Sequence, residues 1–323
     1  MQKLAKALFL FLIIACGSDT GSKIISSSGV IDPNTGNGGN DGNGGDDSIP
    51  DLVVELISSY NDDTASFSTV FGNYTRSFIV HTPPNYDSNN GPIPLLFVLH
   101  GYTGQAPGIR NYSGFDSIAD EENFIVVYVQ GVADQITNNT GWNAGVGTFI
   151  NVDDVGLFSA LIKYFKGNYN IADSKIFSTG MSMGGFMSYR LACELEEINS
   201  IGSVTGSMAA YYNCIPPNQK SIIHFHGTAD TVVPYNGNSW SINVENVHSL
   251  WANHNECQNN SEVTIPDFNG DGVVSTQLTS YDCNGNREVI LYTMENEGHT
   301  WFKKEWGHDV DTSRLIWEFF KDK

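Results

Sequence analysis

Six runs of largely unbroken apolar residues divide the chain: "RSFIVHTPP" (76–84), "IPLLFVLHG" (93–101), "NFIVVYVQG" (123–131), "SKIFSTG" (174–180), "SIIHFHG" (221–227) and "EVILYTM" (288–294). Most end in glycine or proline, residues that close strands. A strand that is apolar at odd and even positions buries both faces, as central strands of a parallel sheet do. Between these runs the pattern changes to three-and-four spacing. "DVGLFSALIKYFKG" (154–167), "GGFMSYRLACELE" (184–196), "VENVHSLWANH" (244–254) and "TSRLIWEFFKDK" (312–323) read as helices. Strands alternating with helices predict an α/β fold, a mostly parallel sheet with helices on both faces.

The first fifty residues do not share this pattern. Lys3 and Lys6 precede "ALFLFLIIA", an apolar stretch too short to span a bilayer. It ends in "IIAC", which resembles the lipobox of bacterial lipoproteins, where the cysteine, here Cys16, is acylated. Residues 17–50 include "DPNTGNGGNDGNGGDD", which lacks the apolar surface to offset the entropy of ordering. The expected organisation is a signal segment over 1–16, a tether over 17–50 and one folded domain over 51–323. The expected location is the outer membrane or cell surface, as an exported bacterial lipoprotein.

Charge narrows the partners. Sixteen Lys and Arg against thirty-six Asp and Glu leave a net charge of −20. Such a surface repels nucleic acid and anionic lipid, so membrane contact is expected only through the lipid anchor. A monomer is expected. Besides Cys16, which acylation would account for, the cysteines are Cys193, Cys214, Cys257 and Cys283. None forms a Cys-x-x-Cys pair, which argues against zinc. In an exported protein four cysteines imply two disulfides. Of three connectivities, Cys193–Cys214 with Cys257–Cys283 closes the shortest loops.

The chemistry centres on "STGMSMGG", where Ser182 stands between Gly180 and Gly184. A strand runs into this turn and a helix leaves it, the context of a nucleophile elbow. A serine hydroxyl needs a base, and the base an acid. His299 in "MENEGHTWF" follows the last strand, and Asp230 in "HGTADTVVPY" follows the strand before it. Both fall on loops at the carboxyl edge of the sheet, with Ser182. His248 and His254 read as helix residues, His308 as a polar loop residue, and His224 and His226 as satisfied core or edge histidines. Asp153 and Asp154 read as caps of the helix they open. The oxyanion donors are assigned to the backbone amides of Met183, directly after the nucleophile, and Tyr102 in "HGYTG".

Taken together, "LLFVLHGYTG", "WNAG", "DDVGLFSALI", "STGMSMGG", "HGTADTVVPY" and "EGHTW" resemble secreted esterases of carbohydrate esterase family 1, which includes feruloyl and acetylxylan esterases, and the related poly(3-hydroxybutyrate) depolymerase-like enzymes. The resemblance runs from about residue 76 to 301. It implies an α/β-hydrolase fold, no cofactor, and a nucleophile, acid and base at Ser182, Asp230 and His299. It is consistent with both disulfides. It also matches Trp142 to an aromatic near the cleft, read either as a substrate-stacking residue or as a core aromatic. One departure concerns the site's border: proline often follows "HTW" in the family, and here Phe302-Lys303-Lys304 follows.

"DFNGDGVVS" (267–275) resembles the start of an EF-hand loop through Asp267, Asn269 and Asp271, but its twelfth position is Leu278 rather than a carboxylate. A surface turn is the reading, with calcium as the alternative. The function expected is a serine esterase acting through an acyl-enzyme on an ester-bearing polymer or oligomer, first of all feruloyl or acetyl esters of polysaccharide. A polyester depolymerase is the alternative within the class. A non-catalytic glycan-binding lipoprotein, using Trp142, Trp240 and Trp306 as platforms, is the alternative outside it.

Overall fold

The computed structural model describes residues 49–149 and 151–323. The signal segment, Cys16 and nearly all of the expected tether lie outside the described residues. The described chain opens with three strands, β1 (Val54–Ser59), β2 (Thr64–Phe71) and β3 (Tyr74–His81), followed by β4 (Ile93–Leu99). Two short helices, α1 (Ala106–Ser113) and α2 (Phe115–Glu122), lead to β5 (Ile125–Val129). A small two-stranded ribbon, β6 (Val132–Ala133) and β7 (Thr140–Gly141), precedes α3 (Asp154–Asn168). Then come β8 (Ile171–Met181), α4 (Met183–Glu194), β9 (Ser200–Val204), β10 (Ser221–Gly227) and α5 (Val244–His254). β11 (Asn259–Thr264), β12 (Thr276–Tyr281), β13 (Val289–Met294) and α6 (Thr312–Lys321) complete the chain.

Among the described residues, eleven strands form one sheet in the order β1-β2-β3-β5-β4-β8-β9-β10-β13-β12-β11. The six from β5 to β13 in that order pair in parallel, and the strands flanking them are antiparallel. The apolar runs predicted from sequence thus supply five of the six parallel strands, and the run at 76–84 contributes β3.

The period of two along β4 explains the layering. Leu95, Phe97 and Leu99 pack with α3, α4 and α5, while Leu96 and Val98 pack with α1, α2 and α6. Phe97 meets Phe158 of α3 edge-on at 5.4 Å, and on the other face Phe177 stacks on Phe320 of α6 at 4.7 Å. Full burial of each such side chain contributes about 1.5–3 kcal/mol. Asp153 caps α3, its carboxylate accepting from the Gly156 amide at 2.9 Å. Asp154 does not share that task. It lies inside the first turn, accepts from Arg76 at 2.7 Å in a buried pair and takes the Asn143 amide at 2.7 Å. No helix of the described residues is long and apolar enough to cross a membrane.

Both disulfides follow the short-loop pairing, Cys193–Cys214 and Cys257–Cys283, spanning 21 and 26 residues. The first ties the end of α4 to the long connection between β9 and β10.

Candidate active site

β8 delivers Ser182 at the carboxyl edge of the sheet, and α4 departs at once. Between them Ser182 adopts φ 54° and ψ −121°. A non-glycine residue in this region costs on the order of 1–3 kcal/mol and persists only where its surroundings hold it. They do so here. The Ser182 amide donates to the Val204 carbonyl of β9 at 2.8 Å, and its own carbonyl accepts from Gly185 and Phe186 at 2.9 and 3.1 Å. The turn is also too tight for a side chain at Gly184. A Cβ there would lie 2.3 Å from the Leu99 carbonyl oxygen and 2.8 Å from that of His100. The same contact shows that the end of β4 lies directly against the turn.

The loops after β10 and β13 are laced together. Thr228 and Ala229 donate backbone bonds to Met294 and Glu297 at 3.0 and 2.9 Å. Gly227 makes this crossing possible, because a Cβ there would fall 2.1 Å from the Glu297 oxygen. A Cβ at Gly298, beside His299, would meet open space. The lacing sets His299 Nδ1 2.7 Å from Asp230 Oδ2. The other Asp230 oxygen accepts from the Val232 and Val233 amides at 2.8 and 2.9 Å. Burial alone would raise the Asp230 carboxyl. Hydrogen bonds from His226, His299 and the Val233 amide outweigh it and hold the group well below the usual carboxylate range. Asp230 is therefore an anion, and His299 donates to it from Nδ1. Its Nε2 is the nitrogen left to take a proton, on a ring that is partly open to solvent.

Met183 opens α4, so its N–H has no partner within the helix and lies at the positive end of the helix dipole. Across from it, the loop after β4 is built from backbone bonds: Thr103 donates to the Thr140 carbonyl at 2.8 Å and Gly104 to Gly101 at 3.0 Å. His100 secures the loop's base. Its Nδ1–H donates to the Gly101 carbonyl at 2.7 Å, and its Nε2 accepts from the Gly131 amide at 2.9 Å. Burial lowers His100 to about 4, against the Gly101 bond and with a smaller push from Arg76, so the ring is neutral.

Trp142 corrects an expectation. It is 0 % exposed and cannot stack on a substrate. Its indole N–H donates to the His100 carbonyl at 2.8 Å and its ring packs against His100 and Phe158. The core reading holds, and Trp142 acts on the site by fixing the loop that carries Tyr102. The Tyr102 side chain is exposed, and its hydroxyl accepts from Asn139 at 2.8 Å. Of the three tryptophans named as platforms, Trp240 and Trp306 are partly exposed, and Trp306 stacks on Tyr112 at 5.1 Å.

The acidic loop is an internally bonded turn. Asp267 accepts from the Gly270, Asp271 and Gly272 amides at 2.6–3.2 Å, and Asp271 accepts from Val273 at 2.7 Å. Asn269 donates to the Gly307 carbonyl at 2.8 Å. Among the described residues no three His, Cys, Asp or Glu side chains gather as metal ligands. His308 pairs with Glu297 at 2.7 Å, and His248 donates to the Val289 carbonyl at 3.2 Å. His226 is more closely involved than its sequence reading allowed: its Nε2 stands 3.4 Å from Asp230 Oδ2.

A family model described as "Putative esterase" matches residues 68–266. The chain belongs to this esterase family. The esterase is 31% identical over 226 residues to a "Probable feruloyl esterase C" of Aspergillus oryzae, covering 69% of this chain and 76% of that one. It is 26% identical over 263 residues to feruloyl esterase D of Neurospora crassa, covering 76% and 81%. Among solved structures, an acetyl xylan esterase from Aspergillus awamori matches with a TM-score of 0.54 at 14% identity, over 84% of this chain and 100% of that chain. An S-formylglutathione hydrolase from Agrobacterium tumefaciens matches at 0.53 and 14%, over 82% and 99%. These likenesses are of fold, the α/β-hydrolase fold. The protein is a carboxylic ester hydrolase.

Proposed function

We propose that the esterase cleaves feruloyl or acetyl esters borne on polysaccharide, through an acyl-enzyme on Ser182. His299 Nε2 takes the hydroxyl proton as Ser182 Oγ attacks the ester carbonyl, and Asp230 stabilises the imidazolium through the bond at Nδ1. The amides of Met183 and Tyr102 receive the oxyanion. His299 then protonates the leaving sugar oxygen, which departs as the free hydroxyl. A water, deprotonated by the same nitrogen, releases the acid. The observation that carries this reading is the 2.7 Å bond between His299 and an anionic Asp230, at the sheet edge where Ser182 is held in a strained turn. The substrate class draws its support from the relatives named feruloyl esterases.

The proposal extends to the whole chain. Residues 1–16 direct export and acylation at Cys16, 17–50 form a tether, and 51–323 form a monomeric catalytic domain at the cell surface. Incorporation of labelled palmitate in the producing cell, abolished by Cys16→Ser, tests the anchor. To test the chemistry, the full chain is offered methyl ferulate, an acetylated xylo-oligosaccharide and a 3-hydroxybutyrate trimer together, with Ser182→Ala as control. Ferulate or acetate released first supports the reading. Hydroxybutyrate released first makes it a polyester depolymerase. Hydrolysis that survives Ser182→Ala refutes the acyl-enzyme.

A further inference from the structure

Beyond Asp230 Oδ2, the oxygen that also accepts from His299, lies a row of buried polar groups that the proposed reaction does not use. Asp230 Oδ2 faces His226 Nε2 at 3.4 Å, and the same nitrogen lies 2.8 Å from the Val233 carbonyl oxygen. His226 Nδ1 is 3.1 Å from His224 Nε2, and His224 Nδ1 is 2.9 Å from the Tyr189 hydroxyl. His226 is 0 %, His224 2 % and Tyr189 1 % exposed. The spacing has a simple origin. Residues 224 and 226 are two apart on β10 and so project from one face, while residue 230 returns over the strand's end.

The proton positions follow from the partners. A carboxylate and a carbonyl can only accept, so His226 Nε2 carries hydrogen. In the neutral ring Nδ1 is then bare and accepts from His224 Nε2–H. Neutral His224 in turn offers Nδ1 to the Tyr189 O–H. Burial, reinforced by the neighbouring His226, holds His224 well below its ordinary value against a bond to the Gly206 carbonyl. The other titratable groups around the two rings are Tyr235, whose ring lies 6.0 Å from that of His226, and His248 of α5, which lowers His224 slightly.

We propose that His226 is a positioning residue of the esterase: its Nε2–H, shared with the Val233 carbonyl at 2.8 Å, steadies Asp230 Oδ2 at 3.4 Å, the oxygen that meets His299, and Tyr189 acts through His224 to keep His226 in the tautomer that does so. The inference rests on the assignment of Asp230 and His299 made above. Asp230 then has partners at both oxygens: Oδ1 accepts from the Val232 and Val233 amides, and Oδ2 accepts from His299 at 2.7 Å with His226 beside it at 3.4 Å. Removing the His226 donor leaves Oδ2 to His299 alone. The carboxylate gains freedom to turn, and its charge binds the protonated His299 more tightly.

The test uses the full chain and p-nitrophenyl acetate, with kcat and KM measured from pH 5 to 9. His226→Phe keeps an aromatic ring and removes the donor. The expected result is a fall in kcat on the order of tenfold to a hundredfold with KM little changed, and an acid limb of kcat/KM displaced upward by about half a pH unit or more. His226→Gln, whose amide can reach the Nε2 position, restores the limb. Tyr189→Phe moves it in the same direction by less. Labelling with a fluorophosphonate reports on Ser182 independently. Wild-type protein that hydrolyses ester without being labelled would sink the triad assignment itself. Labelled wild type with an unmoved acid limb in folded His226→Phe would overturn only the role of His226. If His226→Phe fails to fold, Tyr189→Phe decides: an unmoved limb there overturns the relay.

Discussion

Replacing Trp142 with phenylalanine separates two roles for this side chain. The indole is fully buried and its N–H donates to the His100 carbonyl at 2.8 Å. Phenylalanine leaves that carbonyl buried without its donor, which costs about 1–3 kcal/mol. The smaller ring also opens space against Phe158 and His100, adding about 1 kcal/mol. The sum is about 2–4 kcal/mol. For a domain of this size that lowers the melting temperature by roughly 4–10 °C. Because His100 anchors the loop bearing the Tyr102 amide, kcat should also fall, on the order of tenfold, as the proposed oxyanion donor loses its fixed place. KM for methyl ferulate should change little. The assay is paired: thermal unfolding by circular dichroism, and steady-state hydrolysis of methyl ferulate and p-nitrophenyl acetate. A substrate-stacking tryptophan would give the reverse pattern, a raised KM for the aromatic ester at unchanged stability. That outcome would refute the account of Trp142 as a loop anchor.

Four further outcomes can be measured. Asp230→Asn should lower kcat by about four orders of magnitude, because the amide no longer selects the Nδ1–H form of His299; kinetics at pH 7 check this. Gly227→Ala should abolish hydrolysis and cut yield, since the new methyl meets the Glu297 carbonyl at 2.1 Å and parts the loops that bring Asp230 to His299; circular dichroism and fluorophosphonate labelling read both effects. His100 is held near 4 in the fold against 6.5 when unfolded, so the unfolded chain binds the extra proton and stability is lost as pH falls from 6.5 to 4. The contribution is about 3 kcal/mol, and His100→Asn should flatten the pH dependence of urea unfolding across that window. Cys193→Ser with Cys214→Ser should cost about 2–4 kcal/mol, visible in the urea midpoint.

The parts legible in sequence share a property: each is decided locally. The runs that became β4, β5, β8, β10 and β13 are apolar at both parities because both faces of the sheet are covered. The strand–turn–helix around Ser182 was legible because such a turn needs glycine at fixed offsets, and the Leu99 carbonyl contact at Gly184 shows the steric reason. β9 escaped notice because "SIGSV" is small and polar by composition, yet it is wholly buried between β8 and β10. Its backbone pairs on both sides, so its place depends on neighbours rather than on its own pattern. α1 was hidden by Pro107 and Gly108, residues that ordinarily mark loops; here proline sits in the first turn, where its missing N–H matters least. Trp142 could not be placed because a tryptophan near a cleft and one beneath it have the same sequence signature.

His226 marks a different kind of limit. The "HFH" spacing already puts two histidines on one face of a strand, four residues before Asp230 in the case of His226, so the signal was present. What the sequence lacked was the direction of each hydrogen bond. That follows only when Val233 and Asp230 are seen to offer acceptors to one nitrogen and Tyr189 a hydroxyl to the far ring. The same principle joins the two halves of the site. Ser182 is held by backbone bonds of β9 and α4, whereas Asp230 and His299 are held by loops that cross at Gly227. A sheet edge can supply the first arrangement from one strand. The second needs two strands and a glycine between them, and for that reason His299 and Asp230 stand on separate loops, with their register set by the chain behind them.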